Sequence, residues 1–175
     1  MALSKSNMRL FNGHQKMDQA ALKKVFLLQL SNIFCIKLYL VEHLPIMAEV
    51  ASFADLKNAI LESVDEIKVQ LLRMEIIYKA IGEVYSPRQC LGVKELTVAA
   101  YKDSQLPGMS KLETDLMLLF HLKTLESINI TCYKGLHELA LSLPGKDLAL
   151  LLKQNLDMVT ESKDLYDLIS KEYIT

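Results

Sequence analysis

Apolar residues recur every three or four positions along most of this chain, the spacing of one buried helix face. From Asp18 to about residue 51 the pattern runs Val25, Phe26, Leu30, Ile33, Leu40, Leu44 and Met47. Lys37 falls on the same register. Asp18 suits an N-cap, and Pro45 predicts a kink because its ring removes one hydrogen bond. A second stripe over 54–82 contains Leu56, Ile60, Ser63, Ile67, Gln70, Met74, Ile77 and Ile81. Gly82 is placed to end it, since a left-handed backbone costs glycine little.

A turn-rich stretch with Pro87 and Gly92 follows, then a short helical pattern over 93–103 and a break at "SQLPGMS". The third long helix is predicted over about 111–143, with Leu112, Leu116, Leu119, Leu122, Glu126, Asn129, Tyr133, Leu136 and Ala140 inward. "LPG" stops it. The fourth spans about 146–173, with Leu148, Leu152, Leu156, Val159, Lys163, Tyr166 and Ile169 as its stripe. Helices of this length are rods of roughly 40–50 Å. Short links join the first two and the last two, so each pair is antiparallel. The long link between the pairs is the crossover expected of a ferritin-like four-helix bundle. Residues 1–17 lack a period and read as a mobile tail before one domain over 18–175.

Composition narrows the function classes. Half of the 175 residues are apolar, with only 6 glycines and 4 prolines, which favours helix over sheet. A net charge of −1 steers the chain neither to nucleic acid nor to an acidic membrane. No Gly-rich phosphate loop is present. No uninterrupted apolar run reaches the ~18–20 residues of a membrane span. The 3 cysteines are scattered without a Cys-x-x-Cys pair, so neither zinc nor a disulfide framework is suggested and the reduced cytoplasm fits best. Cys35 and Cys132 read as small core residues. Arg88 beside Cys90 offers little support for thiol chemistry.

The polar residues inside the stripes carry the chemical question. Lys37, Glu66, Gln70, Glu126, Asn129 and Lys163 all lie near the middle of their helices. In di-iron and di-manganese bundles that level holds glutamates and Glu-x-x-His pairs. No Glu-x-x-His occurs here. His43, His121 and His137 therefore read as surface or partly buried side chains with ordinary hydrogen bonds.

The chain resembles the YciE/YciF-type stress protein family, a ferritin-like branch of unknown function, over about residues 22–170. The likeness rests on "LPIMAEVAS…LK", "DEIKVQLLRMEIIYKAIG", "CLGVKEL", "LESINITCY" and "LLKQNLDMVTESKDLY", in that order. The resemblance implies a bundle with an additional crossing helix, commonly dimeric, with a di-metal site in well-preserved members. Carried over residue by residue, the helix-one glutamate of that site falls on Lys37. The helix-two glutamate is kept as Glu66, followed by Gln70. The third helix keeps Glu126 but has Asn129 for its second glutamate. The acidic run and aspartate of the last helix fall on Met158, Val159 and Lys163, with Glu161 out of register.

An ammonium about 4 Å from a metal site costs roughly 4 kcal/mol per unit charge pair at an effective dielectric of 20. The expectation is therefore no metal, no cofactor and no catalysis. Lys37 and Lys163 would pair with Glu66 and Glu126, while Gln70 and Asn129 satisfy the remaining polar atoms. The protein would act as a homodimeric structural or interaction protein, with no nucleic-acid or membrane partner. The alternative is an iron- or manganese-binding oxidoreductase or stress protein using Glu66, Glu126 and Glu161 or a histidine.

Overall fold

The structure, a computed structural model, describes residues 17–87 and 92–175. Residues 1–16 of the expected tail, and Arg88 and Cys90, lie outside the described residues. Among the described residues five helices follow in order: α1 Gln19–Val50, α2 Ala54–Ala80, α3 Val93–Asp103, α4 Lys111–Ala140 and α5 Leu148–Glu172. The chain is an all-α bundle of four long helices, with the short α3 in the crossover. Around the bundle the neighbours run α1, α2, α5, α4 and back to α1, while α3 lies against α1 and α4.

Local chemistry sets most boundaries. Asp18 caps α1 by accepting a hydrogen bond from the Ala21 amide at 2.7 Å. Pro45 lies inside α1, and the helix continues through it to Val50. Gly82 takes the left-handed conformation just past the end of α2, with φ +70°. Ser110 and Glu113 form a reciprocal capping box at the start of α4. α4 ends at Ala140, earlier than the proline-based stop predicts.

Each long helix buries a seam with alternating steps of four and three, the 3.5-residue repeat of shallow-angle packing. In α1 it is Phe26, Leu30, Ile33, Lys37, Leu40, Leu44 and Met47. In α2 it is Leu56, Ile60, Ser63, Ile67, Gln70, Met74 and Ile77. In α4 it is Leu119, Leu122, Glu126, Asn129, Tyr133, Leu136 and Ala140. In α5 it is Leu148, Leu152, Asn155, Val159, Ser162, Tyr166 and Ile169. The inner positions of α5 are therefore Asn155 and Ser162, where the predicted stripe had Leu156 and Lys163. Leu112, placed inward in α4 by its spacing, is 60% exposed.

By length and composition α1 could cross a membrane. Its longest apolar run is broken by Lys37, which is why counting uninterrupted residues passes over it. Its apolar seam faces the other helices, as in the core helix of a bundle.

One buried carboxylate ties three chain segments together. Asp115, 1% exposed, accepts from the backbone amides of Ser52 (2.8 Å) and Phe53 (2.9 Å) and from Tyr173 Oη (2.9 Å). It thereby fixes the α1–α2 turn and the end of α5 to the first turns of α4. Asp115→Ala leaves these donors without their acceptor. It is expected to lower unfolding free energy by about 2–4 kcal/mol in urea denaturation, since hydrogen bonds to charged groups each contribute ~1.5–3 kcal/mol. A loss below about 0.5 kcal/mol, the range of neutral surface changes, would contradict this role.

Candidate functional site

The seams bring a belt of polar side chains into the core. Lys37 is 0% exposed, and its Nζ stands 5.6 Å from the centre of the Tyr133 ring. Burial is the largest influence on the amine and lowers its pKa below the ordinary 10.5. The fields of Glu126, Glu66 and Cys132 oppose that shift. Lys37 Nζ has no hydrogen-bond partner among the described residues. The predicted direct pairing with a glutamate is therefore replaced by an electrostatic one across a longer gap.

The carboxylates are held by other groups. Glu126, 5% exposed, accepts from Asn129 Nδ2 at 3.0 Å, one helical turn away. Glu66 lies off the α2 seam and is partly buried; it accepts from Ser162 Oγ at 2.5 Å. Burial raises the Glu66 pKa above 4.5, against the Ser162 hydrogen bond, and the neighbouring Glu62, Glu126 and Glu161 raise it further. Glu66, Glu62 and Glu161 also line a cleft of about 210 Å³ between α2 and α5.

Gln70, 1% exposed, accepts from Tyr133 Oη at 3.3 Å through its side chain. Its backbone carbonyl accepts from Asn155 Nδ2 at 3.2 Å. Asn155 in turn accepts from Arg73 at 3.2 Å, so the network reaches the bundle surface. Deeper along α5, the hydroxyls of Tyr166 and Ser63 meet at 2.7 Å. Burial drives both Tyr133 and Tyr166 well above the ordinary phenol pKa, so both remain neutral donors.

Five of the six expected positions thus belong to one neighbourhood: Lys37, Glu66, Gln70, Glu126 and Asn129. Lys163 does not. It turns outward and pairs with Asp167 at 2.6 Å, a carboxylate shared with Lys123 at 2.7 Å. A lysine in the position next to the seam keeps its charge hydrated that way at little cost. Ser162 takes the inner place. Asn155 and Ser162 were missed because the four-three alternation was followed one residue out of phase in the middle of α5.

The ring of His121 is satisfied on one side only, since its buried Nδ1 has no partner among the described residues. His43 Nδ1 bonds the Tyr39 carbonyl at 2.8 Å, and buried His121 bonds Asp103 at 3.0 Å. Cys132 is a free, partly exposed thiol. Cys35 is disulfide-bonded, so it is not the plain core thiol expected. Among the described residues no group of three or more His, Cys, Asp or Glu is placed to hold a metal. Two carboxylates beside a fully buried amine are a poor donor set for a di-metal centre, because hard divalent ions need several anionic or imidazole ligands.

The fold and this polar belt define a class: a crossover helical bundle with an ionisable core. The chain belongs to the family described as "Domain of unknown function (DUF892)", which matches residues 21–172. It is similar in structure to the stress protein YciF of E. coli, with a TM-score of 0.83 and 19% identity over 87% of this chain and 96% of that one. It is also similar to YcfI of Rhodopseudomonas palustris, provisionally described as a structural protein. That match has a TM-score of 0.79 and 20% identity, over 90% of this chain and 98% of that one. No curated protein matches the chain.

A buried amine leaves a thermodynamic signature. Its folded pKa lies below its unfolded value, so between the two the unfolded chain binds a proton that the native chain does not. Lys37 therefore makes stability rise with pH up to about 10.5. In urea denaturation the stability difference between wild type and Lys37→Met should move in favour of wild type as pH rises toward that value. Lys37→Ala, which also opens a cavity, should lose about 2–5 kcal/mol. A flat pH difference together with a negligible alanine effect would mean that the amine reaches water.

Proposed function

We propose that this protein is a non-enzymatic bundle of the ferritin-like type, in which a fixed amine has taken the place of a metal centre. Its role is structural or protein-binding, with a link to stress suggested by the name of its E. coli structural relative. The observation that carries this reading is Lys37. It is fully buried, at the level where the family resemblance calls for a metal-binding glutamate, and acted on by Glu126 and Glu66. The neighbouring exchange of a second family glutamate for Asn129 removes another anionic ligand. A bundle so altered keeps its polar core and loses the charge that would draw a divalent ion. Buried polar groups of this kind add specificity of packing more readily than stability.

A homodimer belongs to the same reading. α2 leaves Leu61, Val69, Leu72 and Ile76 exposed, between 40% and 59%, along its outer side. Isologous pairing is the simplest way for a single chain to cover such a ridge.

Metal analysis tests the proposal. Protein purified from iron- and manganese-supplemented medium should carry neither metal in stoichiometric amount. The double variant Lys37→Glu, Asn129→Glu should gain iron or manganese, since it restores the carboxylates missing from α1 and α4. The wild-type preparation should sediment as a dimer. Stoichiometric metal in the wild type would favour the alternative of a metal-dependent oxidoreductase built on Glu66 and Glu126.

A further inference from the structure

Between α1 and α3 lies a groove of about 340 Å³ with a mostly apolar wall. Tyr39, His43 and Met47 line it from α1, and Val98, Tyr101 and Lys102 from the crossover helix. Met47 is buried, whereas Val98 and Tyr101 are 39% and 37% exposed, so the groove opens to solvent. Tyr39 and His43 stack with ring centroids 3.8 Å apart and planes 18° from parallel. His43 Nδ1 bonds the Tyr39 carbonyl at 2.8 Å. A carbonyl only accepts, so Nδ1 carries a hydrogen and the bond holds the imidazole in place. The pair is a flat aromatic surface already ordered before anything binds, which lowers the entropic cost of binding.

Size, shape and charge select the occupant. An apolar cavity of ~150 Å³ holds one benzene, so this groove has room for about two fused rings. Aromatic walls favour an aromatic guest, through offset and edge contacts. Lys102 is the only lining residue with a permanent charge, and its ammonium is in no ion pair among the described residues. No carboxylate lines the groove. Glu42 and Glu95 act on Tyr39 from outside the lining, whereas Lys102 stands in the wall itself. We infer that the α1–α3 groove binds a small aromatic carboxylate, its rings against the Tyr39–His43 stack and its acid group at Lys102. The site shares no polar residue with the belt in the core and does not depend on what fills the bundle centre.

Calorimetric titration of the full chain with β-naphthoate tests the assignment, beside the neutral β-naphthylmethanol and the cationic β-naphthylmethylamine. The expected result is one saturable site that holds β-naphthoate about fivefold tighter than the neutral probe, the advantage of a solvent-exposed charge pair. Lys102→Gln should remove that advantage and leave the affinity for the neutral probe unchanged. Val98→Trp should weaken both by filling the groove; the position is partly exposed, so the variant should keep the urea midpoint of the wild type. Absence of saturable β-naphthoate binding, or binding indifferent to Val98→Trp, would overturn the site. Binding of the neutral probe or of the amine as tight as that of β-naphthoate would overturn the assignment of an acid. Loss of a dimer in Val98→Trp, with no β-naphthoate binding to the wild type, would give the groove to a second copy of the chain instead.

Discussion

The amine of Lys37 is sealed from bulk solvent, and polar residues share the middle of the bundle with it. An ionisable group in a core is tolerable only when other polar groups answer it. Glu126 and Glu66 act on the amine, and each long helix adds buried polar residues to the core: Lys37 from α1, Ser63 and Gln70 from α2, Glu126 and Asn129 from α4, and Asn155 and Ser162 from α5. These are seam positions, so the 3.5-residue repeat that packs the helices also carries the polar belt. Sliding one helix by a residue would move its polar members out of the belt. The belt thereby specifies the register of the helices, which uniform leucine packing would leave less defined.

Much of this was legible in the sequence, because helix period and caps are local properties. Asp18, Gly82 and the short α3 followed from residue type and spacing alone. The inner faces of α1 and α2 did too, since their apolar residues fill nearly every seam position. α5 was harder. Its seam passes through Asn155 and Ser162, two polar residues, while Leu156 and the long stem of Lys163 offered a more apolar path one step away. Strict alternation of four and three from Leu148 to Ile169 would have resolved it. Asp115 was out of reach for a different reason. Its partners Ser52, Phe53 and Tyr173 lie about 60 residues away in either direction, and no local pattern announces such a contact. The disulfide state of Cys35 was equally hidden.

Structures only 19% and 20% identical to the chain share its architecture over most of their length. Helix seams accept many apolar exchanges of similar volume, so the bundle persists at low identity. The chemistry of the centre then depends on a handful of positions, and fold alone does not fix it. In this chain those positions hold an amine, two carboxylates held by Ser162 and Asn129, and a pair of neutral amides.

The protonation of Lys37 itself tests this account most directly. With the lysine side chains labelled in ¹³C and ¹⁵N, NMR can follow the Lys37 amine across pH in the native protein. The account predicts a resonance that titrates below the ordinary lysine range, perturbed when Glu126 is replaced by Gln. An amine that titrates at an exposed lysine's value, indifferent to Glu126, would contradict it.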